Sequence, residues 1–505
     1  MWWLMLSGCF GGWGGEVWWD SGVWGESRPP IAEIRLEPWV SCDALPGSGD
    51  GGAECARAAL PVDHNFPSGR VLIGSVKRIK PPGASNGQLW VITGGPGASA
   101  VDDMAQLPVT ALALEQGLTV YAVDHRGVGG TGRLSCGETL PADAAAWGRC
   151  GASIREEWGS AFDHLTITQS ARDLVALTAT LAEGEDLWLY GVSYGSWVVE
   201  RYIDHFPERN VAVILEAPVP RNTPLSRVDP QTDLTFREVM ALCGADAACA
   251  DRFGGEPQAV VDATLSSLDA GHCAGLGMTA SDAGRLFAHM LQRAETRDLV
   301  PAAAHRLQRC DVLDVERLKH LDGQVPRALG QLPITDGNTG AGDSVVALHH
   351  FAHAELWRSE ASPLVSPGLN EQLAVSAQSW PAYLPAGNDE WVYWYEDIPQ
   401  PQMLILHGGL DPLTAGDGGW SGDFEGRYAL IYELETGAHD LIGGTPFENG
   451  TRDCGSELTT DFLASRAVLT STEACAWNLD PPNFSGDAAV SARYFGAPDA
   501  WDNED

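Results

Sequence analysis

Gly191-Val-Ser193-Tyr194-Gly195 places a serine between two glycines, with an apolar run before it and a helix-compatible stretch after it. A chain with 58 glycines will show Gly-x-Ser-x-Gly by chance, so the flanks carry the meaning. Where a strand ends abruptly and a helix starts at once, the serine is forced into a strained turn with its hydroxyl exposed. The glycines are then required because a Cβ at either position would collide with the neighbouring strand or helix. The helix start also leaves unpaired N–H groups where an oxyanion would form. This chemistry is nucleophilic attack by Ser193. A serine hydroxyl is a weak nucleophile at its ordinary pKa and needs a base, which a carboxylate must orient.

Both partners are available downstream. Leu404-Ile-Leu-His407-Gly-Gly-Leu-Asp411 puts Asp411 just past an apolar run, and Glu433-Leu-Glu435-Thr-Gly437-Ala-His439 puts His439 just past the next. Serine, acid and histidine in that chain order, each after a strand, is the arrangement of α/β-hydrolases. Asp417 and Asp440 are rivals to Asp411 as the acid. His349, His350 and His353 fall in a helical region, while His125 and His407 precede the expected slots. An oxyanion hole needs two converging N–H groups. One is expected from Tyr194 and the other from the turn Thr93-Gly94-Gly95-Pro96-Gly97, with Gly95, or failing that Gly94, as donor. The glycine-rich 127–132 segment lacks the Gly-Lys-Ser/Thr ending of a phosphate loop.

The elements that must position these residues follow from apolar patterning. Strands are expected at 71–80, 88–93, 118–123, 187–192 and 211–215, with helices at 166–181, capped by Thr168 or Ser170, and at 197–205. That alternation predicts an α/β class fold: a mostly parallel central sheet with helices on both faces. Residues 218–400 show helical spacing and little strand signal, and the sheet resumes at 403–407 and 428–432. The expected organisation is a signal or lipoprotein-like segment with a Gly/Trp-rich tether (1–35), a first core part (36–217), an α-helical cap insertion (218–400), a second core part (401–480) and a loose acidic tail (481–505).

Composition narrows the function classes. The 505 residues carry a formal charge of −37, with Lys77, Lys80 and Lys319 the only lysines. Such a surface repels nucleic acid and anionic lipid. Hydrophobic content of 44% is that of a globular protein, and no apolar run reaches the ~20 residues of a membrane span. Leu6-Ser7-Gly8-Cys9 resembles a bacterial lipobox, in which Cys9 would carry the lipid and provide the only membrane contact. Against it, Met1 to Met5 is very short and no Lys or Arg precedes it, so an accidental match or a misassigned start is the alternative. Ten further cysteines fall in successive neighbours, which suits local disulfides in an oxidising compartment. The simplest pairing is 42–55, 136–150, 243–249, 273–310 and 454–475. Buried free thiols are the other reading. No Cys/His spacing suggests zinc, and neither a metal nor a cofactor is expected. Nothing in the sequence sets an oligomeric state.

Taken in order, several segments resemble a secreted tripeptidyl aminopeptidase of the prolyl aminopeptidase family, serine peptidases of the α/β-hydrolase fold. They are Trp39-x-x-Cys42, Glu54-Cys55, Pro61-Val-Asp63, Gly94-Gly95-Pro96-Gly97, Asp124-x-Arg126-Gly127-x-Gly129 and Ala171-Arg172-Asp173-Leu174, followed by the Ser193 motif, Asp411 and Gly437-x-His439. The chain departs from that family in three places. Thr93 stands where a histidine usually opens the glycine turn, Leu215-Glu216-Ala217 replaces Leu-Asp-Gly, and His353-Ala-Glu355 replaces a Cys-x-Glu. The resemblance implies release of short N-terminal pieces or tripeptides from peptides, with cap carboxylates holding the substrate's free N-terminus. Glu355 is the first candidate and Glu396 the second; a solvated helix face is the plain alternative for both. Competing expectations are an esterase or amidase acting on small hydrophobic substrates, and a non-catalytic surface lipoprotein. The resemblance also implies an exported bacterial protein, either secreted or held at the cell envelope.

Overall fold

In the computed structural model, which describes residues 31–503 except 138, 206–210, 221–222, 326–341, 382–400, 415–427 and 449, the continuous apolar runs become buried strands. The sheet is built from β1 (Arg35–Leu36), β2 (Val40–Cys42), β3 (Ala53–Pro61), β4 (Val71–Ile79), β5 (Gln88–Ile92), β6 (Thr119–Val123), β7 (Leu187–Val192), β8 (Val211–Glu216), β9 (Gln402–Gly408) and β10 (Ala429–Leu434). Its order is β1-β3-β4-β6-β5-β7-β8-β9-β10, with β2 also paired to β3. From β6 to β10 all neighbours are parallel, and β4 is antiparallel to both β3 and β6. This is the α/β-hydrolase strand order, a parallel sheet from β6 to β10 extended at one edge by antiparallel pairings among β1 to β4.

Every residue of β5, β6 and β8 is buried, because helices cover both faces of a parallel sheet. Alternate side chains of each strand enter different cores. Trp90, Leu189, Val213 and Ile405 join the helices Ile167–Leu181 and Gly195–His205 on one face. Val91, Tyr190, Ile214 and Leu404 join the helices Pro108–Glu115 and Cys454–Ser465 on the other. The order in which strands are added reverses at β5: β6 lies on one side of it, and everything from β7 onward lies on the other. A crevice opens at such a switch point, beyond the carboxyl ends of the strands. The Gly94–Gly97 turn follows β5 and Ser193 follows β7, so both reach that crevice.

Between β8 and β9 the described residues are helical. They do not form a single unit. Helices Val228–Ala245 through Val312–Gln324 enclose their own core around Phe236, Met240, Leu265 and Phe287. The later stretch, with helix Val345–Phe351 and helix Leu369–Ala377, instead packs Leu348, Phe351 and Leu373 into the sheet-face core.

Two expectations need correction. The 481–505 segment is not a loose acidic tail. It forms the helix Ala488–Phe495 and buries Phe484, Tyr494, Phe495 and Trp501 in the core of the inserted helices. Buried Arg306 fastens it through the carbonyls of Asp499, Ala500 and Asp502. Four large apolar side chains outweigh the acidic composition between them. The cap of helix Ile167–Leu181 is Thr166, not Thr168 or Ser170: its extended backbone lets its hydroxyl accept from Gln169 N at 3.1 Å. The five expected cysteine pairs are the five disulfides, with Cα–Cα separations of 5.3 to 5.9 Å that need no backbone adjustment.

Candidate active site

Ser193 sits one residue past β7 with φ of 54°, a left-handed conformation that a non-glycine residue adopts only under constraint. Its N–H donates to Glu216 O at 3.0 Å, and its carbonyl accepts from Ser196 N at 2.9 Å as the next helix begins. The flanking glycines are wedged. A Cβ on Gly191 would lie 2.7 Å from Gly195 O, and one on Gly195 would lie 2.3 Å from Ile92 O. A Cβ on Gly94 would come within 2.8 Å of Ser193 Cβ, so the turn after β5 rests directly against the serine. The N–H groups of Gly94, Gly95 and Tyr194 have no acceptor among the described residues.

Asp411 and His439 are brought together. His439 Nδ1 lies 3.0 and 2.9 Å from the two carboxylate oxygens of Asp411. The carboxylate is fully buried and accepts further from Leu413 N at 2.8 Å, Thr414 N at 3.2 Å and Thr414 Oγ1 at 2.6 Å. Burial alone would raise its pKa. The imidazole beside it and these donors more than offset that and hold it down at about 2. Burial likewise works against a charged His439, and the Asp411 carboxylate, followed by Glu216 and Asp440, lifts its pKa above the ordinary value. An ionised Asp411 keeps the proton on Nδ1, leaving Nε2 as the basic nitrogen. No hydrogen bond joins Ser193 Oγ to His439 among the described residues. Such bonds are commonly long before substrate arrives.

The described rivals make other contacts. Asp417 is outside the described residues. Asp440 accepts from Ala294 N at 3.3 Å, and burial pushes its pKa to about 6. His349 and His353 both bond Ser376 Oγ, at 2.6 and 2.7 Å, and His350 bonds Leu165 O. Glu355 accepts from Ile167 N at 3.0 Å, at the start of helix Ile167–Leu181, and lies near enough to Tyr194 to raise its phenol pKa beyond the effect of burial. Glu396 and Cys9 are outside the described residues. Among the described residues no group of three His, Cys, Asp or Glu side chains is placed to hold a metal, and no helix is long and apolar enough to cross a membrane.

Sequence patterning missed the residues that hold these loops. His125 Nε2 accepts from Gly97 N at 3.2 Å while Nδ1 donates to Arg126 O at 3.1 Å. Burial lowers its pKa to about 4, so the ring is neutral and fixes the glycine turn as an acceptor. The Arg126 guanidinium is buried and forks onto both oxygens of Asp173, at 2.7 and 2.8 Å, while His64 bonds the same carboxylate. Three fragments far apart in sequence (61–64, 124–127 and 171–174) therefore form one buried ionic knot behind the site. The inserted segment touches the acid loop, the histidine loop and the glycine turn: Thr235 Oγ1 donates to Asp411 O, His439 N to Gln292 O and Ser344 N to Gly97 O.

Comparison with known proteins gives a partial similarity. No family model matches the chain. Over 276 residues it is 26% identical to proteins named "Serine protease Hip1" from Mycobacterium bovis and Mycobacterium tuberculosis, matching 48% of this chain and 52% of theirs. The chain thus spans about half the length of the curated relatives it matches. Similar solved structures include a serine hydrolase from Cycloclasticus zankles (12% identity, TM-score 0.33, 73% of this chain and 88% of that one) and Candida antarctica lipase A in its closed state (10%, 0.33, 93% and 91%). An esterase from Exiguobacterium antarcticum gives 16%, 0.31, 74% and 90%. Scores this low carry no weight for function, and the fold rests on the strand order above.

Proposed function

We propose that this chain is a serine hydrolase whose nucleophile is Ser193, and that its substrates are peptides cleaved near their N-termini. The observation that carries the reading is the hydrogen-bonded pair of buried Asp411 and His439, which follow β9 and β10 at the same edge of the parallel sheet as the wedged, left-handed Ser193 after β7. His439 Nε2 takes the Ser193 proton as Oγ attacks the scissile carbonyl, and returns it to the leaving amine. Asp411 holds the imidazole in the Nδ1–H tautomer and stabilises the imidazolium that forms. The N–H groups of Tyr194 and Gly95 receive the developing oxyanion. Water, deprotonated by the same His439, then clears the acyl-enzyme.

The exopeptidase part is supported by the motif order shared with tripeptidyl aminopeptidases, by the partial similarity to a protein named as a serine protease, and by Glu355 lying near Tyr194. In this reading Glu355, with Glu396, takes the substrate's ammonium group. Export to an oxidising compartment, with or without a lipid on Cys9, is part of the same proposal and agrees with five disulfides. The test is a panel of aminoacyl and tripeptidyl chromogenic amides beside p-nitrophenyl esters, run on the wild type and on Ser193→Ala. Turnover of the amides that vanishes in Ser193→Ala is the expected result. Turnover of esters alone makes the protein an esterase, and failure of a fluorophosphonate to label Ser193 removes the hydrolase reading altogether.

A further inference from the structure

Glu216 closes β8, the strand after the nucleophile strand, at a position where neither the serine motif nor the acid and histidine loops assigned it a role. Its side chain is buried, with hydrogen bonds to the histidine loop and to the nucleophile strand. One carboxylate oxygen accepts from Leu441 N and Ile442 N, both at 2.8 Å, two and three residues beyond His439. The other accepts from the Tyr190 hydroxyl on β7. Its carbonyl accepts from Ser193 N at 3.0 Å. The next residue continues the tie: Ala217, at φ of 43°, donates its N–H to Leu406 O and accepts at its carbonyl from Thr414 Oγ1, the hydroxyl that also bonds Asp411. One dipeptide therefore touches the elbow of the serine, the loop of the base and the loop of the acid.

Resting on the triad reading above, we propose that Glu216 is a positioning residue: its side-chain carboxyl group holds the His439 loop in register with Ser193. The main-chain bond to Ser193 sets one end of the distance, and the two N–H groups accepted by the side chain set the other. The two loops, on strands separated by β8 and β9, share no direct hydrogen bond among the described residues. A misplacement of about 1 Å between nucleophile and base costs on the order of 10²-fold in rate. The titratable groups around the pair are Asp411 and Asp440 beside His439, Tyr190 from β7, and Arg293 from the inserted segment, which acts on Asp440. Glu216 itself bonds both the elbow, through its carbonyl, and the histidine loop, through its side chain.

The experiment compares Glu216→Gln, Glu216→Asp, Glu216→Ala and Ser193→Ala in the full chain, using the rate of fluorophosphonate labelling, kcat and KM separately, and a thermal melt. Glutamine keeps an oxygen for the Leu441 and Ile442 N–H groups, and the Tyr190 hydroxyl can turn to accept from the new amide. Glu216→Gln is therefore expected to remain folded with labelling and kcat close to the wild type. Glu216→Ala is expected to lose on the order of 10²-fold in labelling and kcat with KM little changed. Should the alanine variant fail to fold, Glu216→Asp decides, since its shorter side chain keeps the carboxyl but withdraws it from the Leu441 and Ile442 N–H groups, and its rates should fall in the same way. A folded Glu216→Ala or Glu216→Asp with wild-type rates, or a Glu216→Gln as slow as the alanine variant, overturns the inference. Activity surviving in Ser193→Ala would instead overturn the triad reading on which it rests.

Discussion

Replacing Gly195 with alanine tests the geometry of the elbow directly. The new Cβ would lie 2.3 Å from Ile92 O, 2.8 Å from Thr93 O and 2.9 Å from Ile92 C. Carbon–oxygen contacts settle near 3.3 Å or beyond, so about 1 Å of overlap must be relieved. The obstructing atoms are backbone, at the end of β5 and the start of the glycine turn, and no rotamer change removes them. The helix Gly195–His205 must shift away from β5, or the turn must shift away from Ser193. Overpacking of this kind costs about 1–3 kcal/mol, and more where the surroundings cannot yield. Because the same shift separates Ser193 from the Gly94–Gly97 turn, labelling by a fluorophosphonate should fall by at least about 10²-fold. Gly323, in the helix Val312–Gln324, is the control. Its Cβ would meet nothing within 4 Å, and alanine there should stabilise by about 0.5–1 kcal/mol. Urea unfolding followed by tryptophan fluorescence reads the stability of both variants. A Gly195→Ala protein with the wild-type midpoint and labelling rate would refute the claim that the elbow is wedged.

Three further outcomes are expected. Asp173→Asn leaves the buried Arg126 guanidinium without its counter-charge and should cost about 3–5 kcal/mol in a denaturant titration, with no change if the knot is not buried in solution. Trp501→Ala, which empties part of the core of the inserted helices, should cost about 3–5 kcal/mol by the same assay, whereas a loose tail would tolerate it. The third outcome concerns pH. Burial, then the nearby Asp343 and Asp102, raises Asp103 to about 7, so between about pH 4 and 7 the folded state keeps a proton there that the unfolded chain has lost, and this group's contribution to stability falls as pH rises. Buried His125, His350 and His353, lowered to about 4, act in the opposite sense between about pH 4 and 6.5, so a difference between variants isolates the acid where the melting profile of the wild type does not. Asp103→Asn should melt progressively higher relative to the wild type as pH rises from about 4 to 7, and a constant difference would contradict the raised pKa. Over the same range kcat/KM should rise as His439 loses its proton.

By itself the sequence determined the strands of the parallel sheet, because a strand covered on both faces must be apolar along its whole length, as β5, β6 and β8 are. It also determined the elbow, since a strand, a serine between glycines and a helix leave the backbone one way to turn, and the cysteine pairs, whose partners lie close along the chain. Residues after successive strands marked Asp411 and His439, yet patterning left Asp417 and Asp440 as rivals. Only the tertiary structure seated Asp411 against the imidazole and turned Asp440 toward Ala294. It alone joined Arg126 to Asp173, gave His125 and Glu216 their loops to hold, and drew Phe484 and Trp501 into a core whose other elements lie more than one hundred residues upstream in the chain. The reason is physical. Periodicity reports whether a side chain is covered, and the partner that covers a buried charge is chosen by which distant segments the sheet order brings within about 3 Å.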